Sequence, residues 1–258
     1  MTVASRAGNR GRVTWVWYLQ ELRLLLREPV AVFFSLAFPL VIYVFMGLPY
    51  AESVLPETSI RLIDMMFPSL IGTVGANLLL MGLPIYIAEL RARQVDKRYR
   101  SLPLPGSVFA AAVLLAMLTL TLASITVIVT VIGSLHGLQP SVLNPLFLLL
   151  NVGLIVFLCG VGFFFGTLPL GTRTIQALTA GVFFLLFFGS GAAAPLETLP
   201  EWITSILEWN PLKIWFDALV SVYTGTDIPS GTVWKIPLTL VVSAVLSVLG
   251  LRNWRRIE

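Results

Sequence analysis

Apolar residues in this chain come in long unbroken blocks, not in the alternation of a half-buried strand or the single stripe of a soluble helix. No Asp, Glu, Lys or Arg occurs between Arg100 and Arg173, and shorter charge-free runs extend from Pro29 to Ala51, Met65 to Ala88, Thr174 to Leu196 and Ile236 to Leu251. A hydrocarbon layer about 30 Å thick is crossed by ~20 apolar helical residues, and charges inside it are costly. Blocks of this length therefore predict helices with lipid as their solvent. Backbone groups in lipid must bond internally, which leaves helices or closed barrels, and barrel strands would alternate apolar and polar positions. The pattern predicts an all-α, polytopic membrane protein forming one domain over 1–258. Its six spans lie near 30–50, 66–88, 108–133, 146–168, 174–195 and 233–251. The longest run is broken at Gly133–Gly137, Gln139-Pro140 and Asn144-Pro145.

Two further helical patterns flank these spans. In 13–28, Trp15, Tyr18, Leu19, Leu22, Leu25 and Leu26 recur at helical spacing, with Gln20, Arg23 and Arg27 on the other face and Glu21 and Glu28 flanking. That pattern predicts an amphipathic elbow helix lying in the membrane interface, with Pro29 turning the chain into the first span. Between 197 and 225, one apolar stripe (Trp202, Ile203, Ile206, Leu207) and a second (Leu212, Trp215, Phe216, Leu219) each follow a proline. Both are too short to span. They predict a re-entrant or interfacial pair forming an outer lid, with Trp202, Asn210, Pro211, Trp215 and Asp217 as its residues.

Charge then sets the expected orientation. Fourteen of the 17 basic residues fall at the N-terminus, in the second-to-third connection, in the fourth-to-fifth connection or in the tail; Arg61, Lys213 and Lys235 are the exceptions. Positive residues concentrate on the cytoplasmic side, so both termini are expected in the cytoplasm of a multi-pass cell-membrane protein. The first apolar block far exceeds a signal-peptide core, and the N-terminus is expected to be retained. Hydrophobic residues make up 57% and charged residues 12%, with mean hydropathy +0.90, far from soluble norms. The net charge of +4 follows from this topology and is not a nucleic-acid signal. The single cysteine, Cys159, permits no intrachain disulfide or Cys-based zinc site.

The second-to-third connection, Glu89 to Pro105, is too charged for a simple turn. Glu89 and Arg93 stand at i,i+4, so the second helix is expected to continue into water until Pro103 and Pro105 stop it. Arg91, Arg93, Lys97, Arg98 and Arg100 could pair with carboxylates on a partner, and Tyr99 could anchor in a groove; the alternative is a basic loop that only sets topology.

The order of elbow helix, spans, basic connection and outer helical pair resembles the permease subunits of the ABC-2 family of ATP-binding-cassette transporters, over essentially the whole chain. Lys97-Arg98-Tyr99-Arg100-Ser101-Leu102-Pro103-Leu104 looks like the family's K-R-L-R-A-T-P-L run, although Gln94-Val95-Asp96 departs from the Glu-x-Gly-Thr that precedes it there. Leu199-Pro200-Glu201-Trp202 and Asn210-Pro211-Leu212 with Asp217-Ala218-Leu219 resemble the family's outer-helix motifs.

The resemblance implies a non-catalytic permease of an exporter for a hydrophobic or amphipathic substrate, such as a drug, lipid or lipid-linked molecule. It would work with a second permease half, identical or homologous, and two separate ABC-type ATPase subunits. No cofactor is expected on this chain; ATP and Mg²⁺ would be bound by the partner. In keeping with that, no G-x-x-x-x-G-K-[ST] exists: Lys97, Lys213 and Lys235 are followed by Arg, Ile and Ile. Glu89, Arg91, Arg93, Lys97, Arg98, Tyr99 and Arg100, with Arg23 and Arg27, are the ATPase-coupling candidates. Asn77, Phe183, Phe184, Phe187 and Phe188 are candidates for the substrate path; the four phenylalanines cannot share one face. The rivals are a membrane scaffold and an ion-driven carrier. A carrier usually places acidic residues or His within its spans, and here only Glu89 approaches that, at a span end.

Overall fold

The computed structural model describes residues 3–27, 37, 40–54, 60–93, 106–192 and 199–257. Regular structure among these residues is helical, apart from an isolated antiparallel bridge between Val54 and Arg61. Helix α1 is Val3–Leu26. The segment Leu40–Tyr50, α2, contains a π-helical turn at Tyr43–Gly47. Helix α3 runs continuously over Leu62–Ala92 and widens to a π-helix at Ala76–Gly82. Then follow α4 (Gly106–His136), α5 (Pro145–Gly166), α6 (Thr172–Phe188), α7 (Glu201–Leu207), α8 (Pro211–Thr224) and α9 (Lys235–Ile257).

Among the described residues, four helical stretches are long and apolar enough to cross a membrane: Leu62–Ala92, Val108–His136, Pro145–Gly166 and Ser230–Trp254. Leu40–Tyr50 and Thr172–Phe188 are apolar but shorter. The expected spans at 66–88, 108–133, 146–168 and 233–251 fall on the four long stretches. The span at 174–195 ends earlier, because Phe188 is followed by turn residues and Gly191 adopts the left-handed region at φ 83°. Residues 30–36, 38 and 39 of the expected first span, and the connection 94–105, lie outside the described residues. Helix α1 starts ten residues before the expected 13.

Both π-helical turns stand just before a proline. Pro49 and Pro84 have no N–H to give the carbonyl four residues earlier, and the helix widens there instead of keeping α geometry. In α3 this brings the backbone against α5, where a Cβ on Gly162 would lie 1.8 Å from the Leu79 carbonyl oxygen. Glycine is the residue that this approach admits. Helix α3 is thus the central element, 83% buried along its apolar window, whereas the last stretch, Ser230–Trp254, is only 17% buried. It packs on α5, where the Ser243 hydroxyl donates to Phe157 O at 2.9 Å. Its remaining face has exposed apolar residues, among them Val241, Val245 and Val248.

Candidate functional site

At the Arg-rich end, α1 packs along α4 and reaches α3. Tyr18, Glu21, Leu22 and Leu25 follow i, i+3, i+4, i+7 and so share one face. Tyr18 Oη lies 3.1 Å from Thr119 Oγ1 on α4, and Leu25 is buried. The Glu21 carboxylate, fully buried, accepts the phenolic hydrogen of Tyr86 on α3 at Oε2, while its Oε1 is buried with no hydrogen-bond partner. Burial pushes the Glu21 carboxyl up, and the Tyr86 bond offsets only part of that. The sequence pattern set Glu21 beside the polar face. Its register with Tyr18 and Leu25 is the signal that could have placed it inward. A run of rings, Trp17–Phe109–Trp254–Phe163, with centroids 6.1 to 6.5 Å apart, ties α1 to α4, α9 and α5.

The coupling candidates divide by environment. Arg23 and Arg27 are exposed on the outer side of α1, with Arg23 in the last helical turn, where a cation is favoured. Glu89 and Arg93 approach to 3.8 Å, as the spacing predicts. Arg91 instead turns inward: Nη1 donates to Leu168 O at 2.6 Å and Nη2 to Leu170 O at 3.4 Å. Thr172 Oγ1 reaches Ala88 O at 3.4 Å beside it. The end of α3 is therefore fastened to the α5–α6 turn. Lys97, Arg98, Tyr99 and Arg100 lie outside the described residues.

The path candidates also separate. Asn77 is buried within the π-helical part of α3. Phe183 and Phe187 are buried and stacked at 5.7 Å; Phe184 and Phe188, stacked at 6.2 Å, are 44% and 58% exposed. Of the four phenylalanines, the second pair is the exposed one.

At the other end, α8 is wedged between α3 and α5. The Asn210 side chain accepts from Leu212 N at 2.9 Å as an N-cap and donates to Leu186 O at 2.7 Å, and Pro211 fills the first helical turn. Trp215 donates from Nε1 to Thr239 Oγ1 at 3.1 Å and covers Gly153; Phe216 covers Gly72. Asp217 pairs with Lys213 one turn earlier. Helix α7 stays at the periphery, with Trp202 67% exposed. Lys235 bonds Glu208 O at 3.1 Å and lies 5.0 Å from the Trp209 ring centroid.

A polar network that sequence reasoning missed closes this end. Arg61 makes two bonds to Asp64, at 2.9 and 3.1 Å, and a third to His136 O at 3.0 Å. Gln139 donates from Nε2 to Asp64 at 3.1 Å and from its backbone N–H to Tyr223 Oη at 3.0 Å. His136 stands between Tyr43 Oη at 2.7 Å and Glu52 Oε1 at 2.8 Å. Residues 75 to 93 positions apart meet here, and no local spacing announces them.

The profile of the family described as "ABC-2 type transporter" matches residues 12–224. Among curated proteins, this chain is 23% identical over 249 residues to "Putative transport permease YvfS" of Bacillus subtilis (strain 168), covering 92% of this chain and 95% of that protein. The matched region takes in α1 from residue 12 onward, the fastened end of α3 and the wedge helix α8, and the chain belongs to the ABC-2 type transporter family.

Proposed function

We propose that this chain is the membrane-spanning subunit of an ABC exporter. It moves a hydrophobic or amphipathic substrate outward, driven by ATP hydrolysis on a separate nucleotide-binding subunit. The working complex holds two permease halves and two ATPase subunits, and ATP and Mg²⁺ are bound by the ATPases. Each half spans the membrane six times, with both termini cytoplasmic, α1 as the elbow and α7–α8 as a re-entrant pair.

The observation that carries this reading is the joined unit at the Arg-rich end. There α1, the end of α3 and the α5–α6 turn are linked through Glu21–Tyr86 and Arg91–Leu168. Force applied to exposed Arg23, Arg27 or Arg93 would reach α3, the central helix. The lack of a phosphate-binding loop in the sequence supports a separate ATPase. Co-expression with an ABC-type ATPase, co-purification and reconstitution in vesicles test the reading. ATP-dependent movement of an amphipathic dye is the expected result. Transport driven by an ion gradient without any ATPase would overturn it.

A further inference from the structure

Helix α8 is buried on nearly all sides. Its half-buried positions are Lys213, Asp217, Val220 and Thr224 on one stripe, and the apolar Pro211 and Val222 on the opposite face. The spacing i, i+4, i+7, i+11 makes the first four a single line along the helix. The Lys213 and Asp217 side chains are 25% and 33% exposed.

The Lys213–Asp217 part of this stripe lies at depth. Phe216 packs on Gly72, ten residues into α3, and Trp215 packs on Gly153, eight residues into α5. At 1.5 Å per residue those contacts sit roughly 12–15 Å below the helix ends, close to half of a hydrocarbon core of about 30 Å. Lys213 and Asp217 flank both contacts. An ion pair turned toward acyl chains at that depth is costly, and such pairs face water-filled or protein-lined space instead.

Resting on the exporter reading above, we propose that the Lys213–Asp217 stripe of α8 lines a wet part of the substrate path and binds the anionic head, a phosphate or carboxylate, of an amphipathic cargo. The Lys213 ammonium has three N–H donors and Asp217 engages one of them. The others are available for a charge-assisted bond to an anion. Asp217 accepts a bond from the lysine that an asparagine oxygen would also accept, while its negative charge opposes a bound anion.

The test uses the full chain in lipid nanodiscs, where both membrane faces are open to reagent, with Cys159→Ala as background. Val220→Cys should react with a charged methanethiosulfonate, whereas Leu185→Cys, 72% exposed on α6, should not. Dodecyl phosphate should bind more tightly than dodecyltrimethylammonium. Lys213→Gln should weaken the phosphate by about tenfold or more, while Asp217→Asn should leave that binding equal or tighter. Slow labelling of Val220→Cys, preference for the cation, or loss of phosphate binding in Asp217→Asn would each overturn the proposal. If labelling and binding hold but reconstituted vesicles with the ATPase show no transport, only the exporter reading fails.

Discussion

Glu21 on α1 accepts a hydrogen bond from Tyr86 on α3 while none of its surface meets solvent. An amphipathic surface helix thereby sends a carboxyl group into the helix bundle, 65 positions away in sequence from its partner. Mere interfacial anchoring would not require that contact. It makes α1 part of the same mechanical unit as the central helix.

Stability should respond to Glu21 and to pH with a definite sign. The carboxyl's pKa in the folded state is raised above its ordinary 4.5, so the folded chain keeps a proton that the unfolded chain has lost. Its contribution is complete below that ordinary value and is lost as pH rises through the raised one. Glu21→Gln, which retains an acceptor for Tyr86, should flatten this part of the pH profile and raise the melting temperature at neutral pH. Glu21→Ala should cost about 1–3 kcal/mol at acidic pH. Thermal unfolding in detergent across a pH series measures both, and equal slopes for wild type and Glu21→Gln would contradict the buried-acid account.

Gly162 should tolerate no side chain. A Cβ there meets the Leu79 carbonyl oxygen at 1.8 Å, and backbone cannot rotate away as a side chain can. Gly162→Ala should destabilise by about 1–3 kcal/mol or more, while Gly181→Ala, with nothing within 4 Å, should be neutral or slightly stabilising. The yield of monodisperse protein and its unfolding temperature compare the two.

Asn210→Ala removes both the N-cap of α8 and the bond to Leu186 O. A cap contributes about 1–2 kcal/mol, and the second bond adds to it. Faster hydrogen exchange confined to the first turn of α8 is the expected signature. Exchange unchanged there would show that the wedge is held by Trp215 and Phe216 alone.

The proposed orientation can be read by cysteine labelling in cells. Single cysteines at Ser141 and Thr226 should react with an impermeant reagent added outside, and one at Gln94 should not. External labelling at Gln94 would reverse the assignment made from the basic residues.

Partner coupling has its own variant. Replacing Arg98 and Tyr99 together should leave insertion intact but weaken ATPase binding and abolish its stimulation by substrate. Single Arg→Ala changes should cost about 0–1 kcal/mol each, as exposed ion pairs do. Full binding and transport by the double variant would reduce the 94–105 connection to a topology signal.

Local pattern was enough for whatever depends on one helix and its solvent. The charge-free blocks made the long apolar helices legible, because lipid rejects charge and unpaired backbone alike. The 3.6-residue period exposed α1, and the prolines at 200 and 211 marked the starts of α7 and α8. Contacts between distant segments were decided by tertiary structure. Nothing in the sequence around Glu21, Arg91 or His136 states what each one meets, since Tyr86, Leu168 and Tyr43 arrive on other helices. The division of four similar phenylalanines into a buried and an exposed pair likewise depends on how α6 is rotated against its neighbours. The hydrophobic pattern determined which segments leave water. Close packing determined which faces meet, because in lipid the gain comes from shape and satisfied polar groups, with little from apolar burial itself.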